Sequence, residues 1–251
     1  LSWTFLILLS PIFGLMVYFL FGRSGLTKHT RERMDAVNRQ VEALFQRDSA
    51  VEKGLEKESR SAYLQSSYID KWAGFPLYQN TQTKYYSCGE EMFPDMLEAL
   101  RGAKHFIFLE YFIIEEGYMF NTILDILEEK AKAGVDVRFI YDDVGSINSI
   151  SFGYYKKLQE RGIPCVTFNP FKPLISVVMN NRDHRKIFVV DGYIGFTGGI
   201  NLADEYINKV KRFGYWKDTG VRIEGEAVWS LTAMFLEMWN YINRSTEDYS
   251  R

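Results

Sequence analysis

The stretch "KHFIFLEYFII", residues 104–114, does most to limit what this chain can become. An almost unbroken apolar run of that length reads as a strand covered on both faces, so helices must flank its sheet. The neighbouring patterns agree. "EEMFPDMLEALRGA" reads as a helix with Pro94 in its first turn. "MFNTILDILEEKAKAG" sets Phe120, Ile123, Leu124 and Leu127 on one helical stripe, with lysines in the last turn and Gly134 as cap. "VDVRFIYDD" alternates like a strand, "SFGYYKKLQERG" is helical up to Gly162, and "PCVTF" is a short strand. Strand, helix, strand, helix, strand with short links predicts an α/β domain with a largely parallel sheet and right-handed crossovers. "AVWSLTAMFLEMWNYIN" follows as a mostly buried helix.

Upstream, residues 1–21 carry no charge. As one helix they would span about 31 Å, the thickness of a bilayer's hydrocarbon core. Trp3 and Tyr18 fall near its two ends, and Pro11 and Gly14 are tolerated in membrane helices. The run is longer than a signal-peptide core and no small-residue cleavage site follows, so a transmembrane helix is expected. Arg23, Lys28, Arg31 and Arg33 come next, which places the downstream domain on the cytoplasmic side of the cell membrane. Two cysteines, Cys88 and Cys165, are too few for a disulfide framework and fit a reducing compartment. The expected organisation is a membrane helix over 1–22, a basic juxtamembrane segment and helical linker over 23–72, and a catalytic domain over 73–251. The net charge of −2 argues against a nucleic-acid partner.

Chemistry concentrates in "NRDHRKIFVVDGYIGFTGGIN", residues 181–201. In a strand running from His184 to Val190, His184, Lys186, Phe188 and Val190 share one face. Imidazole and ammonium about 6 to 7 Å apart can reach one small anion, and a phosphate fits. The lysine neutralises charge while the imidazole attacks phosphorus or moves a proton. "VDGYIG" reads as a hairpin, which gives Asp191 a turn-forming role in preference to a catalytic one. Gly198 and Gly199 permit close backbone approach, and Asn201 is placed to cap a helix over "LADEY" with Asp204 three residues on.

The run His184-x-Lys186-x(4)-Asp191-x(6)-Gly198-Gly199-x-Asn201 resembles the HKD motif of the phospholipase D superfamily. "NNRDHRKI", "FTGGINLADEY", "YWKDTGVRIEG", "LEYFI" and "GVDVRFIYDDVGS" are similar to bacterial cardiolipin synthases in particular. The resemblance covers nearly the whole chain and is weakest from about 31 to 71. It implies a phospholipase D-like α/β fold whose chemistry needs no metal and no cofactor. His184 would be the nucleophile that forms a covalent phosphohistidine, or its acid/base partner. Lys186 would hold phosphate oxygens, Asn201 would add a donor, and Asp218 would orient the histidine. Asp191 completes the motif, and Gly198 and Gly199 would line the substrate site. Glu110, inside an apolar strand, needs a partner if buried and is read as supporting the site or as structural.

Relatives of this kind carry two such motifs and this chain has one, so it is expected to be the first half of a two-motif enzyme. The second half-domain would come from a C-terminal region or from a homodimer partner. The implied reaction joins two phosphatidylglycerol molecules and releases glycerol at the membrane. Two alternatives share the same residues: a phosphodiester hydrolase that uses water as acceptor, and a half-domain that binds lipid headgroups without turnover.

Overall fold

The computed structural model describes residues 2–22, 28–170, 181–245 and 247. One seven-stranded sheet organises the domain, in the order β1-β7-β6-β5-β2-β3-β4. Its strands are β1 (Thr81–Tyr86), β2 (Phe106–Tyr111), β3 (Asp136–Asp142), β4 (Cys165–Phe168), β5 (Ile187–Val190), β6 (Ile194–Gly198) and β7 (Gly220–Gly225). On one face lie α6 (Gly89–Gly102), α7 (Tyr118–Lys132) and α8 (Tyr154–Glu160), packed on Ile107, Leu109, Tyr111, Phe188 and Phe196. On the other, α9 (Val228–Asn243) buries Val228, Phe235 and Trp239 against Phe108, Ile140, Ile187 and Val189. The run at 104–114 is therefore covered on both sides, as its composition requires.

The sheet is mixed, but it is not largely parallel. Among the described strands β2–β3 and β3–β4 pair in parallel, while β1–β7, β2–β5, β5–β6 and β6–β7 are antiparallel. The helical crossovers that enforce parallel pairing end at β4. Beyond it no described helix crosses over before β5, and Asp191 and Gly192, with φ of 52° and 65°, make the β5–β6 hairpin. In α6, Pro94 falls in the second turn, because the helix already begins at Gly89.

The N-terminal apolar run does not form one long helix. It breaks into α1 (Ser2–Leu9), α2 (Pro11–Val17) and a π-helical turn at Tyr18–Gly22. Ser10 is held outside the helical region by the proline that follows it. The chain doubles back there, bringing the Trp3 and Tyr18 rings to 5.8 Å, and Gly14 rests on the backbone of Ile7. Among the described residues no helix is long and apolar enough to cross a membrane. Three further helices, α3 (Lys28–Glu42), α4 (Ser49–Glu58) and α5 (Arg60–Ala73), lead to β1. Of these α3 packs on α9, where the Arg33 guanidinium lies 4.6 Å from the Tyr241 ring centroid.

Candidate active site

Topology gathers the candidate residues at one end of the sheet. With β5 antiparallel to β2, and β6 and β7 antiparallel in turn, the C-terminal ends of β2, β3 and β6 meet the N-terminal ends of β5 and β7. Residues 112–117, 143–153, 181–186 and 199–219 all emerge there.

Regular strand pairing begins at Ile187, so His184 and Lys186 lie on the extended segment just before β5 rather than within it. His184 is exposed, and its ring centroid is 4.6 Å from that of Phe112. Lys186 is buried, at 4% exposure, with its ammonium 5.3 Å from the same Phe112 ring. Nζ donates to the His184 carbonyl at 2.7 Å, and no other hydrogen-bond partner of the ammonium occurs among the described residues. Two of its three N–H donors therefore remain for an anion. Burial pulls the Lys186 pKa down to about 8, against the opposing charges of Asp218 and Asp183. Phe112 thus forms a common floor for an exposed imidazole and a buried, poorly solvated cation.

The segment carrying His184 is clamped from behind by charges that sequence reading passed over. Asp142, at the end of β3, accepts hydrogen bonds from Gly145 N (2.8 Å), Asp183 N (3.0 Å) and Arg182 Nη1 (3.2 Å). Arg185 points to the opposite sheet face from Lys186, as strand alternation dictates. There its guanidinium meets Asp183 at 3.0 Å and Glu110 at 2.8 Å. Glu110 is 1% exposed and its contact with Arg185 is not aligned as a hydrogen bond, so burial pushes its pKa well above the ordinary carboxylate range. A protonated Glu110 is a donor for Asp183. Burial also raises Asp183, but the Glu110 carboxyl beside it and the charge and hydrogen bonds of Arg185 outweigh that and hold it low. Glu110 therefore lies behind the site and grips both residues that flank His184. The cluster "NRDHR" was the available signal, since charges next to a buried strand need partners.

Asn201 is not a helix cap. The segment after it forms only a 3-10 turn at Asp204–Ile207, whose N-cap is Ala203. Asp204 is used elsewhere, accepting from Tyr118 N and Met119 N at the start of α7. Asn201 is 2% exposed and both ends of its amide are engaged. Oδ1 accepts from Ile113 N at 3.0 Å, and Nδ2 donates to the Tyr206 hydroxyl at 2.7 Å. It therefore fastens residues 112–115, the segment that carries Phe112.

Gly198 and Gly199 are required by close packing at the β6–β7 junction. A Cβ on Gly198 would stand 2.4 Å from the Thr219 carbonyl, and one on Gly199 would stand 1.9 Å from Asp218 Oδ1. Asp218 is brought beside Lys186 closely enough to act on its charge. Its Oδ1 accepts from Thr219 N at 2.8 Å, and no hydrogen bond joins it to His184 among the described residues. Asp191 is not brought to the site. It sits at the far end of β5 and accepts from Lys104 N, His105 N and Phe106 N at 2.7–2.9 Å, the structural role its turn position favours.

An α/β sheet with an H-x-K pair at its strand ends defines a phospholipase D-like class. The chain belongs to the family described as cardiolipin synthase, phospholipase D-like domain, whose model matches residues 96–239. It is 42% identical over 246 residues to an uncharacterized protein of Streptococcus mutans, covering 98% of this chain and 53% of that one. It is 36% identical over 255 residues to cardiolipin synthase 1 of Bacillus anthracis, covering 100% of this chain and 49% of the relative. The chain thus spans about half the length of the curated relatives it matches. Among solved structures, NucT from Helicobacter pylori superposes with a TM-score of 0.50 at 11% identity, over 64% of this chain and 98% of that one, a likeness of fold alone.

Proposed function

We propose that this chain supplies one of the two histidine–lysine half-sites of a cardiolipin synthase that joins two phosphatidylglycerol molecules. The observation that carries the reading is the pairing of exposed His184 with buried Lys186 over Phe112. An imidazole nitrogen of His184 attacks the phosphodiester phosphorus of one phosphatidylglycerol. A P–N bond forms, and the P–O bond to the headgroup glycerol breaks. The departing alkoxide takes a proton from the histidine of a second half-site, contributed by a C-terminal half-domain or another copy. That group then accepts a proton from the headgroup hydroxyl of the second phosphatidylglycerol, whose oxygen displaces His184 to give cardiolipin. Lys186 offsets charge on the phosphoryl oxygens in a poorly solvated setting, where such charge counts most. Asp218 and the Glu110–Asp183–Arg185 group hold the pair in place.

The uncharged run over residues 1–21 supports attachment to the cell membrane. The basic residues after it support a cytoplasmic position for the catalytic domain. The test is incubation of the reconstituted chain with labelled phosphatidylglycerol, with and without His184→Ala, followed by separation of the lipids. Cardiolipin made only with His184 intact supports transfer at a site completed by a second copy. Phosphatidic acid in its place replaces the reading with hydrolysis. No product from the wild type, even after a partner half carrying the second motif is added, rejects catalysis and leaves headgroup binding.

A further inference from the structure

The loop that leads to Asp218 has a composition the chemistry above leaves unexplained. Residues 209–217, "KVKRFGYWK", contain four basic side chains and no acid. Every residue from 209 to 215 is exposed, with Val210, Phe213 and Tyr215 at 53%, 77% and 67%. The base of the loop is tied down. Asn208 accepts from Trp216 N at 2.7 Å and donates to the Trp216 carbonyl at 2.8 Å, and the Trp216 ring packs 5.2 Å from that of Tyr206. Gly214, with φ of 96° and open space around it, turns the tip. The loop is therefore fixed at its base, with the Tyr215 hydroxyl beside Cys88 and Glu90 and the rest of its side chain exposed.

Its lysines have little to answer them within the chain. Arg212 reaches Glu205 at 3.2 Å and Glu115 at 3.4 Å. Lys209 lies over the Tyr118 ring at 4.6 Å, and Lys211 and Lys217 make no ion pair among the described residues. Across the site a second loop, residues 143–153, exposes Phe152 at 87%. Ser146 and Ser149 fasten that loop to Ile114, and Arg212 fastens the first to Glu115. Both loops are thus moored to the segment that supports His184.

We propose that residues 209–217, with Phe152 on the opposite rim, form a docking surface for an anionic lipid bilayer. Phe213 and Tyr215 enter the headgroup interface, the lysines meet lipid phosphates, and His184 is brought to the membrane plane. The proposal rests on the phosphatidyl-transfer reading and adds how the site reaches its substrate. Amphipathic rings flanked by lysines whose stems can snorkel suit a membrane interface. A protein partner suits it less, because the buried centres of protein interfaces are depleted of lysine. Lysines near an anionic leaflet are attracted to it within a Debye length.

The test is hydrogen exchange of the full chain, resolved by mass spectrometry, in vesicles of phosphatidylcholine mixed with phosphatidylglycerol, in phosphatidylcholine vesicles and in detergent. Slower exchange across 209–217 is expected in the phosphatidylglycerol vesicles, weakened by high salt. Each of Lys211→Ala and Lys217→Ala should lower the docking equilibrium about fivefold, and the double variant Phe213→Ser/Tyr215→Ser should abolish the protection. Equal exchange in all three media overturns the proposal. So does protection already present in detergent that grows with protein concentration, which would mean that a second copy covers the loop. Lipid products scored in the same vesicles test the functional reading separately. Product with an unprotected loop overturns docking alone, and protection without product supports docking while counting against transfer.

Discussion

Replacing Asn201 by alanine tests whether this residue is a strut or a phosphate donor. The substitution leaves Ile113 N, which is half-buried, and the Tyr206 hydroxyl, which is in the core, without their partners. An unsatisfied buried group costs about 1–3 kcal/mol, and the hydroxyl recovers part of its loss by rotating, so a total of about 3 kcal/mol is expected. At about 2–4 °C per kcal/mol for a domain of this size, thermal unfolding should fall by on the order of 10 °C. Tyr206→Phe strands only the Asn201 amide and should cost about 1 kcal/mol. The double variant should cost less than the sum of the two, with a coupling of about 1 kcal/mol. Unfolding followed by tryptophan fluorescence is a suitable assay, because Trp216 packs on Tyr206 and reports locally. If Asn201→Ala unfolds within a degree or two of the wild type, or the two costs add, the amide is no strut and the donor role returns.

The Lys186 amine should titrate near pH 8, and competitive amine labelling across pH reads this directly; a midpoint above 10 would refute the burial account. Its folded pKa lies below the ordinary 10.5, so between these values the unfolded chain binds the extra proton and stability rises with pH. Lys186→Met should flatten that rise and abolish phosphate binding. Glu110 shifts the other way: its raised pKa lends stability that is full below the ordinary carboxylate value and is lost as pH climbs through the raised one. Glu110→Gln, which keeps the shape of the neutral carboxyl, should unfold close to the wild type at low pH and gain on it as pH rises, while Glu110→Ala leaves Arg185 paired with Asp183 and should cost about 2 kcal/mol through the gap it opens in a buried strand. Asp191→Ala frees three backbone N–H groups and should cost about 2–3 kcal/mol. A pH profile of turnover unchanged by that variant would fit its distance from His184, and a shifted profile would not.

The placement of the candidate pair was legible because strand alternation is strict. It set Lys186 with His184 on one face, and the same rule puts Arg185 on the other beside Glu110, a pairing that needed the β2–β5 register to be seen. Sheet direction was less legible. The pattern from β2 to β4 enforces parallel neighbours, but β5 enters antiparallel beside β2 after residues whose pattern names no neighbour. "NLAD" after the glycine pair has the form of a capping box, yet Asp204 caps α7, an element 86 residues earlier. Local pattern cannot see such a partner. In the N-terminal run, length and apolarity described a bilayer's thickness, while Ser10 before Pro11 decided the backbone.

Two carboxylates reach backward along the chain in the same manner. Asp191 receives the amides that open β2, the first of them 87 residues earlier, and Asp204 receives those that open α7. During synthesis at roughly 5–20 residues per second, both element starts wait some 4–17 s for the side chains that satisfy them. The β2–β4 half therefore leaves the ribosome unfinished, its completion tied to the arrival of the very stretch that carries His184. A nascent chain stopped before residue 191 would leave both sets of amide groups without these carboxylates.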